Sequence, residues 1–206
     1  MIINPDIEQY MSSLLPVRDA VLQEMEEQAA KRDIPIIGPS VARVLAQLVM
    51  ISKAKRIFEL GSAIGYSTIW LARAAGPGAE VHYSDGSADK AREAAGYFKR
   101  AGVDHLIQVH VGDALTSLAG TTGNFDLIFN DVNKDGYPAV LAAVPLRLKS
   151  GGLFVTDNTL WHERVLNPRE DVDFAVTSFN RNLYDSAQFF TTLLPIRDGV
   201  SVALKL

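Results

Sequence analysis

Arg56-Ile57-Phe58-Glu59-Leu60-Gly61-Ser62-Ala63-Ile64-Gly65-Tyr66-Ser67-Thr68-Ile69-Trp70-Leu71 is the stretch whose reading decides the fold. A short apolar run ends in an acid, crosses a turn of small residues, and then takes up helical spacing, with Ile64, Thr68 and Leu71 three or four apart. Gly61 and Gly65 let the backbone bend tightly and approach a ligand closely. The stretch therefore reads as a strand, loop and helix opening of the Rossmann type.

Working outward, the same alternation repeats. Strands are expected at 57–60, 81–84, 107–111, 127–130, 153–156, 190–194 and 200–204, with helices over 66–75, 87–101, 137–149 and 170–184. Short apolar strands alternating with helices imply a parallel sheet covered on both faces. Only Pro195-Ile196-Arg197-Asp198-Gly199 separates the last two strands, so these are expected to pair antiparallel. The fold class is thus α/β, with seven mostly parallel strands and an antiparallel C-terminal hairpin.

Upstream, residues 6–31 read as a helix pair or a broken helix, with Ile7, Met11 and Leu14 on one face. Pro16 is expected to restart the helix, carrying Val17, Val21, Met25 and Ala29. Ile34-Pro35-Ile36-Ile37-Gly38-Pro39 is a breaker, and Ser40 is a candidate N-cap for the helix that follows. This region reads as packing and a dimer surface, with a lid over the site as the alternative. The expectation is one domain over 1–206, a helical cap at 1–52 on a Rossmann-like core at 53–206.

Composition removes several classes of function. The net charge of -4 and the lack of any basic run argue against nucleic acid. The chain has no cysteine, which excludes disulfides, thiolate metal sites and a cysteine nucleophile. No apolar stretch approaches the roughly 20 residues that span a bilayer. Asp6 and Glu8 stand where a signal peptide would carry positive charge, so a cytoplasmic protein is expected.

The most informative regularity is an acid after each strand: Glu59, Asp85, Asp113, Asp131 and Asp157. Ligands of open parallel sheets bind outside the carboxyl ends of the strands, so these acids define an electronegative mouth. The loop has G-x-x-x-G rather than G-x-G-x-x-G, and Glu59 is a poor neighbour for a pyrophosphate. A ligand that is cationic there, such as S-adenosylmethionine with its sulfonium and ammonium, fits better. Asp85, 20 residues after Gly65, suits ribose hydroxyls, which is equally compatible with NAD. Asp113 could accept from an adenine amino group or cap a short helix at 114–119.

Asp131 and the Asp157-Asn158 pair are different in kind, a hard all-oxygen set suited to Mg²⁺, Ca²⁺ or Mn²⁺. Lys134, one turn beyond Asp131, would return to the same mouth. A desolvated lysine beside a cation has its pKa pushed down and can serve as a base, whereas a solvated lysine or an ion pair with Asp135 is the plainer alternative. His82, His105 and His110 show no ligand spacing.

With these residues assembled, the sequence resembles the cation-dependent O-methyltransferases of the caffeoyl-CoA and catechol O-methyltransferase type. Phe58-Glu59-Leu60-Gly61 with Gly65-Tyr66-Ser67 is similar to the family's cofactor loop. Phe129-Asn130-Asp131-Val132-Asn133-Lys134-Asp135-Gly136-Tyr137 resembles F-x-D-A-D-K-x-x-Y, Asp157-Asn158-Thr159-Leu160-Trp161 resembles D-N-x-L-W, and Leu194-Pro195-Ile196-Arg197-Asp198-Gly199 resembles L-P-x-x-D-G. The resemblance implies Asp131, Asp157 and Asn158 as metal ligands and Lys134 as the base near the acceptor hydroxyl. It implies a class I methyltransferase fold, a homodimer, and an S-adenosylmethionine site lined by Glu59, Gly61, Ser62, Gly65, Ser67, Asp85, Asp113, Ala114 and Asp131. The acceptor would be a vicinal aromatic diol such as a catechol, with Trp161 and His162 as candidate acceptor contacts. Asn133 replaces the family's second aspartate, and His162-Glu163 stand where small residues are usual. The competing readings are a nicotinamide oxidoreductase, disfavoured by the missing G-x-G-x-x-G, and a binding protein that has lost turnover.

Overall fold

The computed structural model describes residues 4–206. Five parallel strands form the centre: β1 (Arg56–Leu60), β2 (Glu80–Asp85), β3 (Ile107–Val111), β4 (Phe125–Asn130) and β5 (Leu148–Thr156). β6 (Phe189–Leu194) and β7 (Val200–Lys205) complete a seven-stranded sheet in the order β3-β2-β1-β4-β5-β7-β6. β7 runs antiparallel to both β5 and β6, as the short 195–199 connection requires. The chain order reverses between β1 and β4, so the loops after these two strands diverge and leave a crevice at their carboxyl ends.

Alternation along each central strand sends side chains into two cores. Ile57, Leu127, Phe129 and Val155 pack beneath α2 (Ala20–Arg32), α3 (Gly38–Ser52), α4 (Tyr66–Ala75) and α5 (Ala88–Arg100). Phe58, Leu60, Ile128 and Phe154 pack beneath α6 (Ala114–Gly120), α7 (Tyr137–Ala143) and α8 (Asp171–Asp185). Both faces of β1 are buried, which is why it reads as a continuous apolar run.

Several boundaries differ from the sequence expectations. After α1 (Pro5–Ser13), Pro16 does not restart the helix: α2 begins at Ala20, where the Asp19 carboxylate accepts from the N–H groups of Val21 and Leu22. Val17 is left 85% exposed instead of joining the helix face. Ser40 is not the N-cap of α3, which starts at Gly38 with Pro39 in its first turn and no side-chain cap. The helix expected over 137–149 stops at Ala143, followed by a single 3-10 turn at Val144–Leu146. Pro145 can supply no N–H to a continuing α-helix, and Leu148 is already paired with Phe125 as the start of β5. His82 and His110 stack on adjacent strands with Nδ1 of the first 2.9 Å from Nε2 of the second.

Among the described residues, no helix is long and apolar enough to cross a membrane.

Candidate active site

The loop after β1 is shaped by two glycines that no other residue could replace without rearrangement. Gly61 has φ 83°, and a Cβ on it would lie 2.6 Å from the backbone oxygen of Asp131. Gly65 has φ 85°, and a Cβ there would strike the Phe98 ring at 2.4 Å. The Asp131 N–H donates to the Leu60 carbonyl at 2.8 Å, and the Gly61 and Ser62 N–H groups both reach the Ser84 carbonyl. The ends of β1, β2 and β4 are thereby tied into one rigid rim. A cleft on this rim is lined by Gly61, Ser62, Ala63, Tyr66, Ser67 and Asp131, with Pro35, Ile36 and Ile37 forming the opposite wall. The breaker segment is thus part of the site.

Glu59 does not sit at the open mouth. It is fully buried under the loop, where the Thr68 hydroxyl donates to Oε2 and Oε1 meets no protein partner. Burial pushes its carboxyl up to about 7, although the hydroxyls of Ser67, Thr68 and Ser62 oppose the shift. The folded chain therefore holds the Glu59 proton more tightly than the unfolded chain, whose carboxyl titrates near 4.5. Stability of the ligand-free protein should fall as pH rises from about 4.5 through about 7 and then level off. Glu59→Gln should remove Glu59's share of that slope, leaving the share of Asp157 and Asp131, and be more stable than wild type at pH 8 by up to about 3 kcal/mol, since each tenfold difference in proton affinity between the folded and unfolded chain is worth about 1.4 kcal/mol. Urea unfolding of both proteins at pH 5 and 8 checks this; a Gln variant less stable at pH 8 would refute it.

Asp85 and Asp113 are engaged by their own loops. The Asp85 carboxylate accepts from the N–H of Ala63 at 3.0 Å and of Ser87 at 2.8 Å, leaving each oxygen a further lone pair. Asp113 is exposed and caps α6, its Oδ1 accepting from the Thr116 N–H and hydroxyl, both at 2.7 Å. Of its two sequence readings, the helix cap is the one seen here. Ala114 opens that helix, half-buried.

The second half of the site lies between β4 and β5. Asp157 is 4% exposed, with its N–H on the Asn130 carbonyl and its own carbonyl accepting from the Tyr137 hydroxyl at 2.5 Å. Its Oδ1 has no protein partner. Burial first, and the charge of Asp131 second, raise its carboxyl to about 7. Burial also raises Asp131, while the Lys134 and Arg197 charges oppose it. Lys134 pairs with Asp131, Nζ to Oδ1 at 3.3 Å, rather than with Asp135. Its side chain is 12% exposed, and Nζ stands 5.7 Å and 5.8 Å from the ring centres of Tyr137 and Trp161.

Asn158 is held at φ 54° beside Asp157. Trp161, His162 and Glu163 follow in three successive left-handed conformations. The Trp161 ring packs against the α7–α8 core and donates to Asp173 Oδ1 at 3.0 Å. His162 is 72% exposed at the side chain and donates its N–H to Asp198 Oδ1 at 2.6 Å. Among the described residues, no group of three or more His, Cys, Asp or Glu side chains is placed to hold a metal. The candidate set from the sequence, Asp131, Asp157 and Asn158, has only two carboxylates.

An O-methyltransferase family model matches residues 11–206. The chain belongs to that family. These are the S-adenosylmethionine-dependent O-methyltransferases of caffeoyl-CoA and catechol type. A catechol O-methyltransferase of Mycobacterium tuberculosis is 31% identical over 172 residues, covering 82% of this chain and 78% of its own. A probable caffeoyl-CoA O-methyltransferase of Dictyostelium discoideum is 26% identical, covering 96% and 89%. Among solved structures, the O-methyltransferase TomG of Streptomyces achromogenes, in complex with S-adenosylmethionine, superposes with a TM-score of 0.88 at 29% identity, covering 97% and 96%. The nicotinamide oxidoreductase reading is left without support.

In this O-methyltransferase, the fold brings Gly61, Ser62, Ser67 and Asp131 to one cleft, sets Lys134 against Asp131 and the Trp161 ring, and keeps the Asp157 carboxyl within reach of the Asp131 charge. Sequence reasoning missed Asn130, fully buried at the end of β4 with neither amide atom partnered by the protein. It also gave no role to Arg197, although the residue lies within a quoted motif.

Proposed function

We propose that this O-methyltransferase moves the methyl group of S-adenosylmethionine to one hydroxyl of a catechol-like aromatic acceptor, with a divalent cation at Asp131, Asp157 and Asn158. The observation that carries the reading is the buried Asp157 carboxyl, with Oδ1 unpartnered, its charge opposed by Asp131 and favoured by Arg197 and the aromatic-flanked Lys134. Asp157 stays raised to about 7 despite the Arg197 and Lys134 charges, so two acids and an amide oxygen call for further positive charge and suit a hard cation. Such a cation, held by Asp131, Asp157 and Asn158, would supply Lewis-acid chemistry that lowers the pKa of an acceptor hydroxyl.

S-Adenosylmethionine would supply an electrophilic methyl carbon, and Glu59, buried beneath the loop with Oε1 unpartnered, would place a carboxyl behind the part of the cleft that takes its cationic end. Glu59, Gly61, Ser62, Gly65 and Ser67 would hold the cofactor, with Asp131, Asp85, Asp113 and Ala114 around its nucleoside and methyl ends. Lys134, its ion pair with Asp131 replaced by the cation and its Nζ thereby neutral, would take the acceptor proton. The acceptor oxygen would take the methyl group, and the carbon–sulfur electron pair would leave with sulfur as S-adenosylhomocysteine. Tyr137 and Trp161 would wall the acceptor and exclude water, and His162 at the rim would meet its substituents. Holding the two reactants together is worth up to roughly 7–11 kcal/mol. A homodimer would cover the exposed Tyr10, Leu14 and Val17.

Titration calorimetry with S-adenosylmethionine, followed by catechol methylation with and without EDTA, tests the reading. Binding with EDTA-sensitive turnover is expected. Turnover indifferent to EDTA would remove the cation, and binding without turnover would remove the catechol.

A further inference from the structure

Arg197 occupies a left-handed conformation, φ 50°, where a glycine would sit without strain. The 195–199 turn that imposes this conformation grips two separate parts of the site. On one side its backbone holds the loop after β5: the Thr159 N–H donates to the Gly199 carbonyl at 3.0 Å and the Leu160 N–H to the Asp198 carbonyl at 2.8 Å. On the other, the Arg197 guanidinium reaches the breaker segment, donating from Nη1 to the Ile36 carbonyl at 3.0 Å and to the Ile37 carbonyl. Gly38 makes room for it, since a Cβ there would lie 2.9 Å from Nη1. Ile36 and Ile37 are the wall of the cleft facing Ser62 and Asp131. The guanidinium charge also reaches both Asp131 and Asp157.

We propose that Arg197 is a positioning residue that pins the 36–38 segment as the outer wall of the cofactor cleft, through two carbonyl hydrogen bonds made from the β6–β7 turn. Without it, Ile37 would remain anchored by its burial in the core, but the carbonyls of the wall would lose the donor that fixes their direction. The wall and the proposed cation loop would then no longer share one support. The proposal rests on the cleft being the S-adenosylmethionine site.

The test uses Arg197→Gly, which relieves the left-handed strain and so keeps the fold, together with Arg197→Lys. S-Adenosylmethionine affinity by calorimetry, thermal unfolding of the ligand-free chain, and hydrogen exchange at the 36–38 amides are measured on both variants and on wild type. Arg197→Gly should weaken binding by about tenfold, the loss expected for a charged hydrogen bond. Its melting temperature should change little, the relieved left-handed backbone offsetting the lost hydrogen bonds and the lost charge near Asp131 and Asp157, its 36–38 amides should exchange faster, and kcat at saturating cofactor should change less than KM. Arg197→Lys, which can still reach one carbonyl, should recover part of the affinity. Wild-type affinity and exchange in Arg197→Gly would overturn the proposal, as would lost affinity that merely tracks a lower melting temperature. A wild-type chain that does not bind S-adenosylmethionine would overturn the cofactor reading itself.

Discussion

Lys134→Ala is expected to lower kcat by about 10²–10⁴-fold, the range for a positioned general base, while affinity for S-adenosylmethionine stays nearly unchanged. The lysine is fixed by its contact with Asp131 and by the Tyr137 and Trp161 rings on either side, and it does not line the cofactor cleft. Removing it should therefore take away proton transfer without disturbing the 61–67 loop. Asp131 would lose its ion-pair partner, so the variant should also be less stable before a cation is added. Single-turnover methylation of a catechol, read beside calorimetry, separates the two quantities. If turnover survives, another group takes the proton. A protein that binds the cofactor and shows no turnover even as wild type would be a binding protein rather than a catalyst.

Asp157→Asn should have an effect of similar size through a different route. It removes one of two like charges that share a buried position, so the ligand-free protein should melt at a higher temperature than wild type. It also removes a hard anionic donor from the proposed cation set. Charge stabilisation by a cation is worth several kcal/mol and each 1.4 kcal/mol is about tenfold, so kcat/KM should fall by about 10²-fold or more. The signature is the pair of opposite changes, with Mg²⁺ raising the melting temperature of wild type and leaving that of the variant where it was. EDTA-sensitive turnover retained in Asp157→Asn would exclude Asp157 as a ligand.

The sequence by itself determined the sheet, its direction and its carboxyl edge. Short apolar runs such as Ile57 to Leu60, alternating with helical spacing, are local signals, and the five-residue 195–199 link leaves antiparallel pairing as the only short solution. The acids after the strands were legible for the same reason, because the strand ends were. What only the tertiary structure decided is where those acids point and what they meet. Glu59 lies beneath its loop rather than at the mouth because α4 places Thr68 against it, a contact nine residues away across a turn. Asp113 caps its helix through Thr116, a choice between two plausible partners that spacing left open. The breaker segment at 35–37 became a wall of the cleft because Arg197, 160 residues on, reaches its carbonyls. Helix ends moved where Asp19, Pro39 and Pro145 redirected hydrogen bonds, since a cap depends on which side chain turns back onto the first N–H groups. Periodicity encodes which face of an element is buried. The partner that face meets is set by chain segments far apart in sequence.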